Sequence, residues 1–446
     1  MHKVHVIGLG VDLRDLSLVI SKRIESADVL IGGNRLLDIF RDHTALKVSI
    51  GSPLEDVIER INQEMKTDRE IVVLTDGDPL FYGFGKRLIE ALGREMVVFH
   101  PNVTTLQVAA SRLKIPWHDI QTVSLHGRKD IRPLLAALVR NDRVAVFTDP
   151  DFHPAKIADE LIWKGIDAFD MYVFEDLGTE SEKVRCFELE DATKMTFSPL
   201  NFVIFDRAKQ PEISLCLGLD DDSYLHEKGL ITKKEIRAAG LSALEIEPDN
   251  IVWDLGAGCG SVAIEASILA YDGSVLAVEK NPERIQYISQ NIRRMGAYVV
   301  EVVHGEMPGC LESLPDPERV FIGGGIGEDN KVLEEAINRL KPGGRLVLHL
   351  VLMGSLTRAR DYLNDLKWPY SITQVQVSRS KSTAGDQRLE ALNLVKSPKT
   401  VMPDPGSSPG QALIRHPEVI GFIGFSDKSE SSTGCSLSPP RGREPE

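Results

Sequence analysis

Long apolar runs are missing from this sequence, and no stretch approaches the roughly 20 residues of a membrane-crossing helix, so a bilayer-spanning protein is not expected. Cysteine is scarce: Cys186, Cys216, Cys259, Cys310 and Cys435 stand far apart, odd in number and without a C-x-x-C pair. Neither a disulfide framework nor a structural metal site is predicted. Aromatic residues make up 6% of the chain, and an excess of positive charge is lacking, since 52 Lys and Arg face 66 Asp and Glu for a net charge of −14. A general nucleic-acid surface needs clustered cations to displace counterions from phosphate, so none is expected. The opening Met1-His2-Lys3-Val4-His5-Val6-Ile7 runs into a glycine turn and then Asp12, Arg14 and Asp15, too short an apolar run for a signal peptide. These traits together predict a cytoplasmic protein.

What is present is 446 residues, 42% hydrophobic and 26% charged, enough for two or three domains with disulfide-free cores. In residues 1–210, short β-branched runs at 4–7, 28–31, 71–75, 96–99, 143–147, 171–174 and 202–205 alternate with amphipathic segments. A second series follows Gln210-Pro211, with runs at 251–255, 275–279, 299–304, 320–322 and 345–350 separated by helical stretches at 282–295 and 330–340. Both halves read as α/β. In residues 397–446, Pro, Gly and Ser supply 23 of 50 positions, which predicts a disordered tail with one short apolar run at 419–425.

The strongest chemical signal is Trp253-Asp254-Leu255-Gly256-Ala257-Gly258-Cys259-Gly260, a strand ending in a glycine turn that opens a helix near Ser261. Ligands bind beyond the carboxyl ends of such strands, and glycine lets backbone approach them because it lacks Cβ and tolerates positive φ. Glu279 ends the next strand about 20 residues on, where a carboxylate can accept ribose hydroxyls. Asp254, placed before the first glycine, separates S-adenosylmethionine from a nicotinamide cofactor. Glu306 is expected toward the adenine amine, and Gly323 and Gly324 against the reacting end of the ligand.

In the first half, Gly8 and Gly10 close a strand-to-turn junction. Gly77-Asp78-Pro79 form a proline-rigidified loop, and Thr104 and Thr105 open a helix whose free amides suit a polar ligand. His126, Arg128, Lys129 and Arg132, then Lys233, Arg293, Arg379 and Arg388, are the cations available to the acidic substrate that the family resemblance set out next implies. His304 reads as a packed or hydrogen-bonded histidine. No catalytic side chain is singled out, because methyl transfer mainly requires alignment of donor and acceptor.

The segments Thr232-Lys233-Lys234-Glu235-Ile236-Arg237, Glu279-Lys280-Asn281-Pro282-Glu283-Arg284, Phe321-Ile322-Gly323-Gly324 and Thr373-Gln374-Val375-Gln376-Val377-Ser378-Arg379 resemble the decarboxylating C15-methyltransferases of cobalamin biosynthesis. The glycine turns of the first half, with Ala27-Asp28-Val29-Leu30-Ile31-Gly32-Gly33 and Ser124-Leu125-His126-Gly127-Arg128, resemble the tetrapyrrole (class III) methyltransferases, specifically the C5-methylating members. In this order the halves resemble the fused precorrin-6B C5,15-methyltransferases (decarboxylating). The resemblance implies an N-terminal two-lobed tetrapyrrole methyltransferase fold over 1–210 and a C-terminal Rossmann-like, seven-stranded class I methyltransferase domain over 211–396. It also implies one S-adenosylmethionine site per domain and a precorrin or cobalt-precorrin substrate. A homo-oligomer without nucleic-acid or membrane partners is expected. Two other readings stay open: a single-site methyltransferase with an accessory first domain, and a binding protein without turnover.

Overall fold

In the computed structural model, residues 3–51, 53–323, 326–327, 329–383, 385–391 and 422–427 are described. The chain divides into two compact units, Met1–Gln210 and Pro211–Glu446.

The β-branched runs of the first unit become strands because they are buried on both faces, where alternation gives way to continuous apolar sequence. Strands β1 (Val4–Gly8), β2 (Val29–Gly32), β3 (Leu46–Ser49), β4 (Ile71–Thr75) and β5 (Val97–His100) form a parallel sheet in the order β3-β2-β4-β1-β5. Val4, Val6, Val29, Ile31, Ile71 and Val73 pack on one side of it, and Ile7, Leu30, Val72 and Leu74 on the other. A second, mixed sheet comprises β6 (Gln121–Ser124), β7 (Arg143–Phe147), β8 (Phe169–Glu175), β9 (Lys183–Glu188) and β10 (Asn201–Arg207), ordered β6-β7-β10-β8-β9. The helix Thr105–Leu113 sets Leu106, Ala109 and Ala110 against Phe174, Phe202 and Ile204 of this sheet. This packing and the bond from the Tyr82 hydroxyl to the Thr122 carbonyl, 2.7 Å, join the two lobes.

The second unit contains β11 (Ile251–Leu255), β12 (Ser274–Glu279), β13 (Val300–His304), β14 (Arg319–Ile322), β15 (Arg345–Leu350), β16 (Tyr370–Gln374), the hairpin β17 (Ser378–Thr383) and β18 (Asp386–Ala391), and β19 (Phe422–Asp427). Seven of these form one sheet, ordered β13-β12-β11-β14-β15-β19-β16. The chain runs from β11 outward to β12 and β13 and then crosses to β14 on the other side of β11, so the strand order reverses at β11, where a doubly wound sheet offers a crevice beyond the strand ends. The helix Ser261–Leu269 follows the glycine turn and is buried from Ser261 to Ser267, which explains its apolar composition on all sides.

Strand β19 corrects the expectation of a disordered tail over 397–446. It runs antiparallel to both β15 and β16 and fills the space between them. Composition averaged over fifty residues hides the six-residue run Phe422-Ile423-Gly424-Phe425-Ser426-Asp427, whose aromatic and β-branched residues favour a strand. Without it the outer edge of β15 would present a row of unpaired backbone groups. The remainder of 397–446 lies outside the described residues.

Candidate functional site

In the first unit, the carboxyl ends of β1 and β4 meet the loop after β5. A Cβ on Gly8 would stand 1.7 Å from the Gly77 carbonyl oxygen, and one on Gly77 would stand 3.1 Å from the Thr104 Cα. Three loops thus touch backbone to backbone, and only glycine permits this. Gly10 and Gly77 also have φ of +75° and +50°. Asn102, given no role from sequence, donates from Nδ2 to the Gly8 carbonyl at 3.2 Å and accepts from the Val103 amide at 2.8 Å. Its partner lies 94 residues away, so no local signal exposes it.

Asp78 caps its own turn by accepting from the Leu80 amide at 2.8 Å. The Pro79 carbonyl accepts from the Gly85 amide at 3.0 Å. Thr104 is the N-cap of the helix Thr105–Leu113 and forms a reciprocal capping box with Gln107. Beside these groups lies a cavity of about 330 Å³ lined by Asp78, Asn102, Thr104, Gln107 and apolar neighbours. The sequence-predicted residues Gly8, Gly10, Gly77, Asp78, Pro79, Thr104 and Thr105 are therefore gathered at one place. Arg128 is exposed and donates to the Ser124 carbonyl at 2.9 Å.

In the second unit, Gly256, Gly258 and Gly260 all have positive φ, between 61° and 82°. The turn hangs from β12: the Gly256 and Ala257 amides donate to the Val278 carbonyl at 2.9 and 3.0 Å, and the Gly258 amide donates to Glu279 Oε2 at 2.9 Å. Glu279 Oε1 accepts from the Lys280 and Asn281 amides at 3.0 and 2.9 Å. Three of the roughly four acceptor positions of this carboxylate are thus filled by backbone, leaving one on Oε2. Asp254 is buried and accepts from the Ala263 amide at 3.0 Å, tying β11 to the first turn of the following helix. Burial, with a smaller contribution from the Glu279 charge, pushes its carboxyl up to about 7.

Gly323 joins the turn by donating a hydrogen bond from its amide to the Leu255 carbonyl at 3.2 Å. Gly324 lies outside the described residues. Glu306 is exposed on the rim, 3.7 Å from Lys280 Nζ, and the His304 ring nitrogen meets the Lys280 carbonyl at 3.2 Å.

Three of the cations expected to meet the substrate carry carboxylate partners. Arg379 makes a forked pair with Glu235 at 2.9 and 2.7 Å and reaches Asp221 at 3.3 Å. Lys233 stands 3.6 Å from Asp221, and Arg388 pairs with Glu390. Nonlocal partners, 144 residues apart for Arg379 and Glu235, hide this arrangement from sequence.

Two further groups escaped the motif reading. Glu265, on the glycine-turn helix, accepts from the Gly218 and Leu219 amides, the Tyr224 hydroxyl and Arg237 Nε at 2.7–3.1 Å. Asn291 Nδ2 donates to the carbonyls of Leu225 and Cys259 at 2.9 and 3.0 Å. Together they fasten the segment before the helix Lys234–Leu244 beside the glycine turn.

Residues 3–193 match the family described as tetrapyrrole (corrin/porphyrin) methylases, and residues 222–395 match the precorrin methyltransferase domain. The chain is 34% identical over 359 residues to the precorrin-6Y C(5,15)-methyltransferase (decarboxylating) of a Sinorhizobium species, covering 78% of this chain and 84% of that protein. It is also similar to two shorter proteins. One is the probable cobalt-precorrin-6B C(15)-methyltransferase (decarboxylating) of Pyrobaculum calidifontis, 33% identical over 40% of this chain and 92% of that protein. The other is the probable cobalt-precorrin-7 C(5)-methyltransferase of Methanocaldococcus jannaschii, 28% identical over 46% of this chain and 97% of that protein. With 84% of the Sinorhizobium protein covered at 34% identity and both family matches present in one chain, this protein belongs to the precorrin-6Y C(5,15)-methyltransferase (decarboxylating) family.

Proposed function

We propose that the chain moves two methyl groups from S-adenosylmethionine onto a precorrin macrocycle, one at C5 through the first unit and one at C15 through the second, where an acetate arm also loses its carboxylate as carbon dioxide and is left as a methyl group. The observation that carries this reading is that one chain holds two glycine turns of different construction at strand ends, each within its own family match.

Each transfer is a displacement in which a macrocycle carbon forms a bond to the methyl carbon while the sulfonium–carbon bond breaks, leaving S-adenosylhomocysteine. Holding the two in line supplies roughly 7–11 kcal/mol of the barrier reduction. Decarboxylation breaks a carbon–carbon bond whose electron pair the conjugated ring takes up. The first donor site would use Gly8, Gly10, Gly77, Asp78, Pro79, Thr104 and Thr105. The second would use the 256–260 turn, Asp254 behind it, Glu279 for one ribose hydroxyl, Glu306 on the rim, and Gly323 and Gly324. The free acceptor position on Glu279 supports one hydroxyl contact rather than two. Arg128 in the first unit, and Lys233, Arg379 and Arg388 in the second, would meet substrate carboxylates, the last three by exchanging their present carboxylate partners.

Equilibrium dialysis with S-adenosylhomocysteine tests the two-site reading: two equivalents bound per chain support it, and one or none overturns it. Parallel assays with metal-free and cobalt-loaded substrate decide which form is used.

A further inference from the structure

The cavity of the first unit has a wall that no motif contains. Trp117 lines it together with Phe81, Val103 and Leu106, while its polar liners Asp78, Asn102 and Thr104 belong to or adjoin the loops that converge at Gly8 and Gly77. A cavity of about 330 Å³ lies at the small end of ligand pockets and suits a nucleoside-sized group better than a whole macrocycle. Trp117 is 51% exposed, so half of a large aromatic surface is left to water. The backbone that carries it is anchored. Pro116 precedes it, its carbonyl accepts from the Ile120 amide at 3.2 Å, and Ile120 is buried. The turn is held between the helix Thr105–Leu113, which ends in Lys114 with φ +58°, and β6.

A half-bare indole at a cavity that combines the apolar liners Phe81, Val103 and Leu106 with the polar liners Asp78, Asn102 and Thr104 calls for a ligand with one flat heteroaromatic end and one polar end. We propose that Trp117 is the aromatic wall against which the purine of the methyl donor stacks in the first unit, a binding contact that rests on the two-site reading above. Stacking of a base on an aromatic side chain is tolerant of detail and strong enough to anchor one end of a ligand. The polar end then faces Asn102, Thr104 and the glycine junction.

The test uses the full chain with Trp117→Ala and Trp117→Phe. In Trp117→Ala the donor KM for methylation without loss of carbon dioxide rises at least tenfold with kcat little changed, and in Trp117→Phe it stays within threefold of the parent. The donor KM of the decarboxylating methylation is unchanged in both. S-adenosylhomocysteine and adenosine both quench a tryptophan signal in the parent chain that is gone in Trp117→Phe, a measurement that holds even where the alanine variant folds poorly. An unchanged donor KM in Trp117→Ala, or a loss of affinity for S-adenosylmethionine but not for adenosine, overturns the purine contact. A parent chain that transfers no methyl without loss of carbon dioxide instead overturns the two-site reading.

Discussion

At the scale of single residues, the glycine junctions carry the sharpest demands. Gly8→Ala places a methyl 1.7 Å from a backbone oxygen, which cannot swing away as a side chain can. The first unit is expected to lose about 1–3 kcal/mol of stability, the usual cost of overpacking, and the methylation without carbon dioxide loss should disappear while the decarboxylating one persists. Thermal melts and product masses check both. Glu279→Ala removes the proposed ribose acceptor and the anchor of the Gly258, Lys280 and Asn281 amides at once. Donor affinity in the second unit should fall by about 1.5–3 kcal/mol, as for loss of a hydrogen bond to a charged group, with the first site unaffected in calorimetric titration. Asp254 gives a pH signature. With its carboxyl raised to about 7 by burial, the folded chain holds that proton more tightly than the unfolded chain. The stability this contributes is full below about pH 4, near an ordinary Asp value, and is lost as pH rises through about 7. Asp254→Asn lacks the titration, so its denaturant midpoint relative to the parent should climb between pH 4 and pH 8; a constant difference would contradict the buried, protonated state. The glycines, Asp254 and Glu279 were legible in sequence because close approach and strand-end spacing are local. The pairing of Arg379 with Glu235 was not, because it joins residues far apart in the chain.

At the scale of elements, the strands that were easiest to read are those buried on both faces. The runs at 71–75, 143–147, 251–255 and 345–350 coincide with β4, β7, β11 and β15, and the helix Pro282–Met295 begins at its proline and ends before Gly296. Strands β3, β6 and β9 went unread. β3 and β6 are the outer strands of their sheets on one side and β9 lies at the other edge of its sheet, and Lys183-Val184-Arg185-Cys186-Phe187-Glu188 in β9 carries charges that blunt such an edge. Strand β19 went unread because a strand is defined by its partners, and composition sees none of them. Truncation after residue 396 removes β19 and leaves facing edges of β15 and β16 unpaired. The melting transition of the second unit should fall by several degrees, about 1 kcal/mol being worth roughly 2–4 °C in a unit of this size, and the decarboxylating methylation should be lost, while the transition of the first unit stays in place. An unchanged second transition would show that β19 adds nothing to the sheet.

At the scale of the whole molecule, the chain holds two compact units, and each of its two family matches falls within one of them. Relatives exist that are covered almost whole by 40% or 46% of this chain, which fits units that work separately. Fold class and family were legible early because glycine-turn motifs recur in order along both halves; the carboxylate partners of Lys233 and Arg379 were not, because those partners are brought together only by the fold. Two different donor sites are proposed to act on one macrocycle. Mass spectrometry of the products formed by residues 1–210 and 211–446, expressed separately and given S-adenosylmethionine with the precorrin substrate, tests this most directly. The expected result is one added methyl without loss of carbon dioxide from the first piece, one added methyl with loss of one carbon dioxide from the second, and both changes on a single product when the pieces are mixed. Both changes arising from the second piece alone, with a first piece that neither binds donor nor transfers a methyl, would contradict it.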